Sequence, residues 1–166
     1  MLIYHPAMDA YHCVFRLLLI LENTDRIEID KARILDFYVL FPSAILSARL
    51  PESMRSKRKA LGSYKNPYRD PISPITSFHE ICRVQEAAVQ CIAATGLVDI
   101  EELSRGFLVR SDIKLSIDLS QSINNYISGN PILAEVILGD LFRIPLLGTD
   151  GLKHRTSLME YRYDNV

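Results

Sequence analysis

Ile27-Glu28-Ile29-Asp30 directly follows the apolar run Val14-Phe15-Arg16-Leu17-Leu18-Leu19-Ile20-Leu21, and about seventy residues later the arrangement returns. Val98-Asp99-Ile100-Glu101 follows a second apolar stretch, Val84 to Thr95, closed by Gly96. Each copy reads as an apolar helix, a short alternating strand and an acidic residue opening the next helix. That order is the front half of a winged-helix unit. The expected fold is therefore mainly α with short β-hairpins, built as tandem winged-helix-like units.

Further elements extend this reading outward. Asp9 is placed to cap a first helix whose Tyr11, Phe15, Leu18 and Leu19 share one face, and Asp30 to cap a second rich in Ile34, Leu35, Phe37, Tyr38 and Phe41. Pro42 ends or interrupts that helix. Between Pro51 and Pro74 the composition changes to four prolines, a glycine and several basic residues, which reads as a linker or long exposed loop. The expected organisation is an N-terminal unit over 1–50, a basic proline-containing linker over 51–75 and a C-terminal unit over 76–166. Ser77-Phe78-His79-Glu80 has the form of a capping box and predicts a long helix ending at Gly96. Asp118 is placed to cap a helix stopped by Gly129-Asn130-Pro131. Asp150-Gly151 reads as a hairpin turn, with Leu158 to Tyr163 alternating as a returning strand.

The totals bound the function. The 166 residues are 48% hydrophobic, sufficient for a core, and 19 basic against 20 acidic residues leave a net charge of −1. That balance argues against a generic nucleic-acid coat, although charge can be segregated locally. Cys13, Cys82 and Cys91 form an odd set without CxxC spacing, which speaks against a disulfide framework and for a reducing, cytoplasmic setting. The apolar run from Cys13 to Leu21 is about half the roughly 20 residues a membrane-spanning helix needs, and Arg16 lies inside it. The start has neither the basic leader nor the small-residue cleavage site of a signal peptide.

Few residues point to catalysis or cofactor binding. His5, His12, His79 and His154 lie in no metal-ligand spacing, and adjacent His12 and Cys13 point about 100° apart on a helix. No phosphate loop, dinucleotide fingerprint or nucleophile elbow is found, so the expectation is no enzyme, no cofactor and no metal. Asp30, Asp36, Glu101 and Glu102 are read as helix-capping or helix-start residues rather than an acid–base set. The feature with functional content is the basic window Arg49, Arg55, Lys57, Arg58, Lys59, Lys65 and Arg69, interleaved with Tyr64 and Tyr68, which holds seven of the 19 basic residues. It would suit phosphates with tyrosine stacking, an acidic partner surface, or only the solubility of a loop. Met159, Tyr161 and Tyr163 on one face of the expected last strand are the first candidates for a protein interface.

The segments Ile3-Tyr4-His5-Pro6-Ala7, Tyr11 to Arg16 and Ile29 to Pro42 resemble the opening of a bacterial family, the middle component of three-component ABC-ATPase systems, group five. The resemblance is clearest over the first forty or so residues. It implies partners: an ATPase similar to SMC proteins or RecN, and a variable effector, in defence against phage and plasmids, with Lamassu systems as relatives. It implies an adaptor role and supplies no catalytic residues. The competing expectation is a stand-alone winged-helix regulator that would read DNA through Ser120-Gln121-Ser122-Ile123-Asn124-Asn125.

Overall fold

The computed structural model describes residues 9–160. Helix α1 (Ala10–Leu21) begins where the Asp9 carboxylate accepts the amide of Tyr11 at 2.8 Å. Cys13 and every residue from Arg16 to Leu21 are buried, too many for one stripe, so α1 is enclosed rather than laid on a surface. Its covers are α2 (Ile29–Leu40) and α5 (Cys82–Ala94). Glu28 holds the N-cap position of α2, and Asp30 falls within its first turn, where a negative charge favours the helix start.

The repeated tetrapeptides meet in one small sheet. Strand β1 (Ile27–Glu28) pairs antiparallel with β2 (Phe107–Leu108), Ile27 opposite Leu108 and Glu28 opposite Phe107. On the other edge of the same segment Val98 bridges Arg110, with Asp99 donating to the Val109 carbonyl at 2.9 Å and Ser111 to the Leu97 carbonyl at 3.1 Å. Alternate backbone groups of an extended chain face opposite edges, so the 106–111 segment is central and each copy flanks one side. The expected hairpins are thereby corrected. Among the described residues these strands pair across the chain rather than across a tight turn, because each copy supplies only one edge. Ile27, Val98 and Leu108 seal the sheet against the core.

The proline-containing stretch is largely structured. A 3₁₀ turn (Pro42–Ser47) is followed by a second (Glu52–Lys57) that runs into α3 (Arg58–Gly62), and Met54 and Leu61 enter the common core. Helix α4 (Pro74–Glu80) starts earlier than the capping box at Ser77 predicted. Ser73 Oγ accepts the Thr76 amide at 3.3 Å and Pro74 occupies the first turn, while the Ser77 amide is already bonded to the Ser73 carbonyl at 3.0 Å. The chain breaks at Ile81 before α5, so two helices replace the expected long one. Gly96, at φ +72°, closes α5 in the left-handed conformation, as its position in the sequence suggested.

Asp99 caps α6 (Ile100–Ser104), and Ser116, rather than Asp118, caps α7 (Ile117–Gly129). Asn130 then occupies the N-cap position of α8 (Pro131–Ala134) without a side-chain capping bond, and α8 continues as a π-helix over Glu135–Leu141. The hairpin expected at Asp150-Gly151 is replaced by α9 (Leu152–Thr156). Gly151 is required by a close approach, since a Cβ there would collide with the Leu147 carbonyl. Leu152 and Lys153 donate to the carbonyls of Pro145 and Leu146, folding that loop onto the start of α9 instead of into a strand. Leu158 is buried, residues 157–160 form no strand, and Tyr161 and Tyr163 lie outside the described residues.

The enclosed core has a consequence at alkaline pH. Burial, reinforced by Asp36, pushes the Cys13 thiol up to about 12, burial raises Tyr126 to about 12, and burial raises Tyr38 as well. In the unfolded chain thiols ionise near 9 and phenols near 10. The folded state therefore holds protons that the unfolded state releases, so this contribution is complete below pH about 9 and is lost as pH rises toward about 12. Each such group is expected to steepen the fall in unfolding free energy by about 1.4 kcal/mol per pH unit in that window. Urea denaturation from pH 8 to 11 checks this, and Cys13→Ala should give a shallower decline between pH 9 and 10. A flat profile would overturn the burial of these groups.

Candidate interaction surface

The basic window divides into engaged and available charges. Lys57 Nζ donates to Glu135 Oε1 at 2.7 Å and to Asp140 Oδ2 at 2.5 Å, and these bonds, Asp140 first, raise the lysine pKa. The π-helix explains the double grip. Its i→i+5 winding brings residues five apart to a similar side, where one ammonium meets both carboxylates. Lys57 thus ties the second 3₁₀ turn to the C-terminal helices. Arg55 pairs with Glu52 at 3.2 Å across an exposed turn, a contact of small energetic weight. Arg49 Nη1 lies 3.1 Å from His154 Nε2, and its carbonyl accepts from Arg155 at 2.8 Å.

Arg58, Lys59, Lys65 and Arg69 are exposed and form no ion pair among the described residues. Arg58 donates only to the Leu46 carbonyl, at 3.3 Å. Asp70, next to Arg69 in sequence, accepts the Asn66 amide at 2.8 Å and so closes a turn, and Glu52 lines the same cleft as Arg58. The two tyrosines part company: Tyr64 packs against the core and donates to Asn130 at 3.3 Å, whereas Tyr68 is 97% exposed. Met159 is half-buried and packs against the core.

The carboxylates of the sequence reading are engaged separately. Asp30 lies 3.5 Å from Arg33 and 3.2 Å from Lys153. Glu102 receives Arg26 at 2.8 Å and Arg105 at 2.9 Å, and the bond from Arg26 foremost holds its carboxyl below the usual range. Glu101 is exposed in the first turn of α6. Asp36 is the exception to every helix-end reading: it is wholly buried in the body of α2, with Arg16 Nε at 2.7 Å and Gln85 Nε2 at 2.8 Å. Gln85 also donates to the Arg33 carbonyl at 2.9 Å and accepts from Arg33 Nε at 3.2 Å, locking α5 to α2. The sequence reading missed this network. Its signal was available: a charge within each of two apolar runs, Arg16 in one and Asp36 in the other, requires a buried counterion.

No group of three or more His, Cys, Asp or Glu side chains gathers as a metal site among the described residues, and none of their helices is long and apolar enough to cross a membrane. The fold and its side chains define a mainly helical protein with a small antiparallel sheet, whose available charges in the basic window are cations. The chain belongs to the ABC-three component (ABC-3C) system Middle Component 5 family, whose model matches residues 2–164. The match extends the likeness of the opening segments across nearly the whole chain. No curated protein and no solved structure matches it.

Proposed function

We propose that this chain is a non-enzymatic adaptor bridging an SMC- or RecN-like ABC ATPase and an effector subunit in a bacterial complex that acts in the cytoplasm against phage or plasmids. Family membership over residues 2–164 carries the reading, because a middle component is one part of a multi-component system. The two helix–strand–helix copies flanking one strand support a tandem winged-helix-like relation, with 1–50 and 76–166 as its units and 51–75 as the connection between them. In this reading the protein acts through its surfaces, the cations Arg58, Lys59, Lys65 and Arg69 among them.

A stand-alone winged-helix regulator is the second reading. Gln121, Ser122, Asn124 and Asn125 all face solvent on α7, as direct base contact would require. Co-expression with the proteins encoded beside its gene, followed by affinity purification and mass measurement, separates the two. A stable assembly with a large coiled-coil ATPase and a third subunit is the expected outcome. A lone monomer or dimer binding one specific duplex would put the regulator in its place.

A further inference from the structure

The helix that starts at Pro131 widens after Ala134 into a π winding over Glu135–Leu141 and is α-helical again at 142–143. Such windings are rare and are found mostly as single turns at functional places, so a run of seven residues calls for a cause. The cause lies elsewhere in the chain. Lys57, the last residue of the second 3₁₀ turn, holds Glu135 at 2.7 Å and Asp140 at 2.5 Å, and its side chain is 21% exposed. In an α-helix, with 3.6 residues per turn, residues five apart point roughly 140° away from each other and are poorly placed to share one ammonium. Without the lysine, the π winding would leave the two carboxylates as a like-charge pair on a similar side of the helix. Downstream of the same winding, the Phe142 carbonyl lies 3.1 Å from the buried Lys31 Nζ. The Pro145 and Leu146 carbonyls accept from Leu152 and Lys153 at 2.7 and 3.1 Å, at the start of α9.

We infer that residues 135–141 are a register switch with Lys57 as its latch, so that the position of the 52–57 turn sets how the C-terminal helices sit. With Lys57 in place the π winding is favoured, because one ammonium neutralises two carboxylates at once. With Lys57 withdrawn, the α winding separates Glu135 from Asp140 and restores the ordinary i→i+4 bonds. The two windings are discrete: passing from one to the other turns the residues beyond Leu141 by about one residue's step, roughly 100°. Such a turn takes the Phe142 carbonyl away from Lys31 and draws the Pro145 and Leu146 carbonyls off α9. Those contacts and the Lys57 clamp favour one winding, and ordinary helix geometry with carboxylate repulsion favours the other. A two-state element biased from both sides is what coupling between distant parts of a fold requires. The switch needs no partner subunit, and it stands or falls separately from the adaptor reading.

Through-hydrogen-bond couplings measured by NMR on the full chain report which carbonyl each amide of residues 139–141 bonds. In the wild type these amides should reach the carbonyl five residues back. Lys57→Gln should move them to the carbonyl four residues back, while Lys57→Arg, which keeps a cation at the latch, should retain the π pattern. Asp140→Asn removes one of the two carboxylates and should shift the winding in the same direction, which also serves if Lys57→Gln does not fold. Amide hydrogen exchange at Leu152 and Lys153 should accelerate by at least about tenfold in the rewound variants, since α9 loses its hold on the Pro145 and Leu146 carbonyls. A π pattern retained in both Lys57→Gln and Asp140→Asn, or an α pattern in the wild type, would overturn the switch. Unchanged exchange at Leu152 and Lys153 in a variant that has rewound would overturn it too, because the change would then stop within the helix.

Discussion

Asp36→Ala is expected to lower the unfolding free energy by about 3–5 kcal/mol, the usual cost of leaving one member of a buried ion pair behind. Asp36 is 0% exposed and Arg16 6%. The guanidinium donates through Nε at 2.7 Å and through Nη2 at 3.4 Å, and Gln85 supplies a further bond to the carboxylate at 2.8 Å. Removing the carboxylate strands the Arg16 charge between α1 and α2 and frees one donor of Gln85. Burial disfavours the Arg16 charge, and the bonds and attraction of Asp36 outweigh it, so arginine stays protonated. The charge cannot be shed and must be hydrated by partial opening of the core. Arg16→Met combined with Asp36→Leu should recover most of the loss, since both charges then leave together. Urea unfolding at pH 7 decides it. A loss below about 1 kcal/mol for Asp36→Ala would show that water already reaches the pair.

This pair also shows where sequence and structure part. Arg16 was legible as a reason the first helix is no membrane anchor, yet its partner could not be identified without knowing which face of α2 meets α1. The repeated Ile/Val-acid pattern was legible as helix, strand and helix, and β1 and the Val98 bridge lie where it placed them. Their common partner was not, because a two-residue strand contains no register information and Phe107-Leu108-Val109-Arg110 alternates too briefly to stand out. Local capping competed in a similar way: Ser73-Pro74 and Ser77-x-x-Glu80 are both helix starts, and the earlier one prevailed with proline already set in its helical φ. Asp150-Gly151 has the chemistry of a hairpin turn, but Gly151 is used for close backbone approach to Leu147. In the basic window, the separation of engaged Lys57 from available Lys59 depends on Glu135 and Asp140, more than seventy residues downstream.

Phe78→Ala should cost about 3–5 kcal/mol, the range for deleting a buried aromatic ring. Phe78 is 1% exposed on α4, a helix of seven residues whose own backbone bonds cannot sustain it. Its ring meets Phe37 edge-on at 5.6 Å between centroids, and the Arg33 guanidinium lies 5.6 Å above it. Phe78 is therefore the anchor by which α4 holds to α2. The same short helix begins at Pro74 and continues with the exposed Ile75. Loss of the anchor should loosen α4 as well as the core, so Phe78→Ala is expected to lower the melting temperature. Phe78→Leu, which keeps much of the volume, should cost roughly half as much and preserve assembly. Ile72→Asp supplies the contrast, because a fully exposed side chain can be replaced without touching the fold. If Phe78→Ala melted like the parent, α4 would be carried by something other than this aromatic contact.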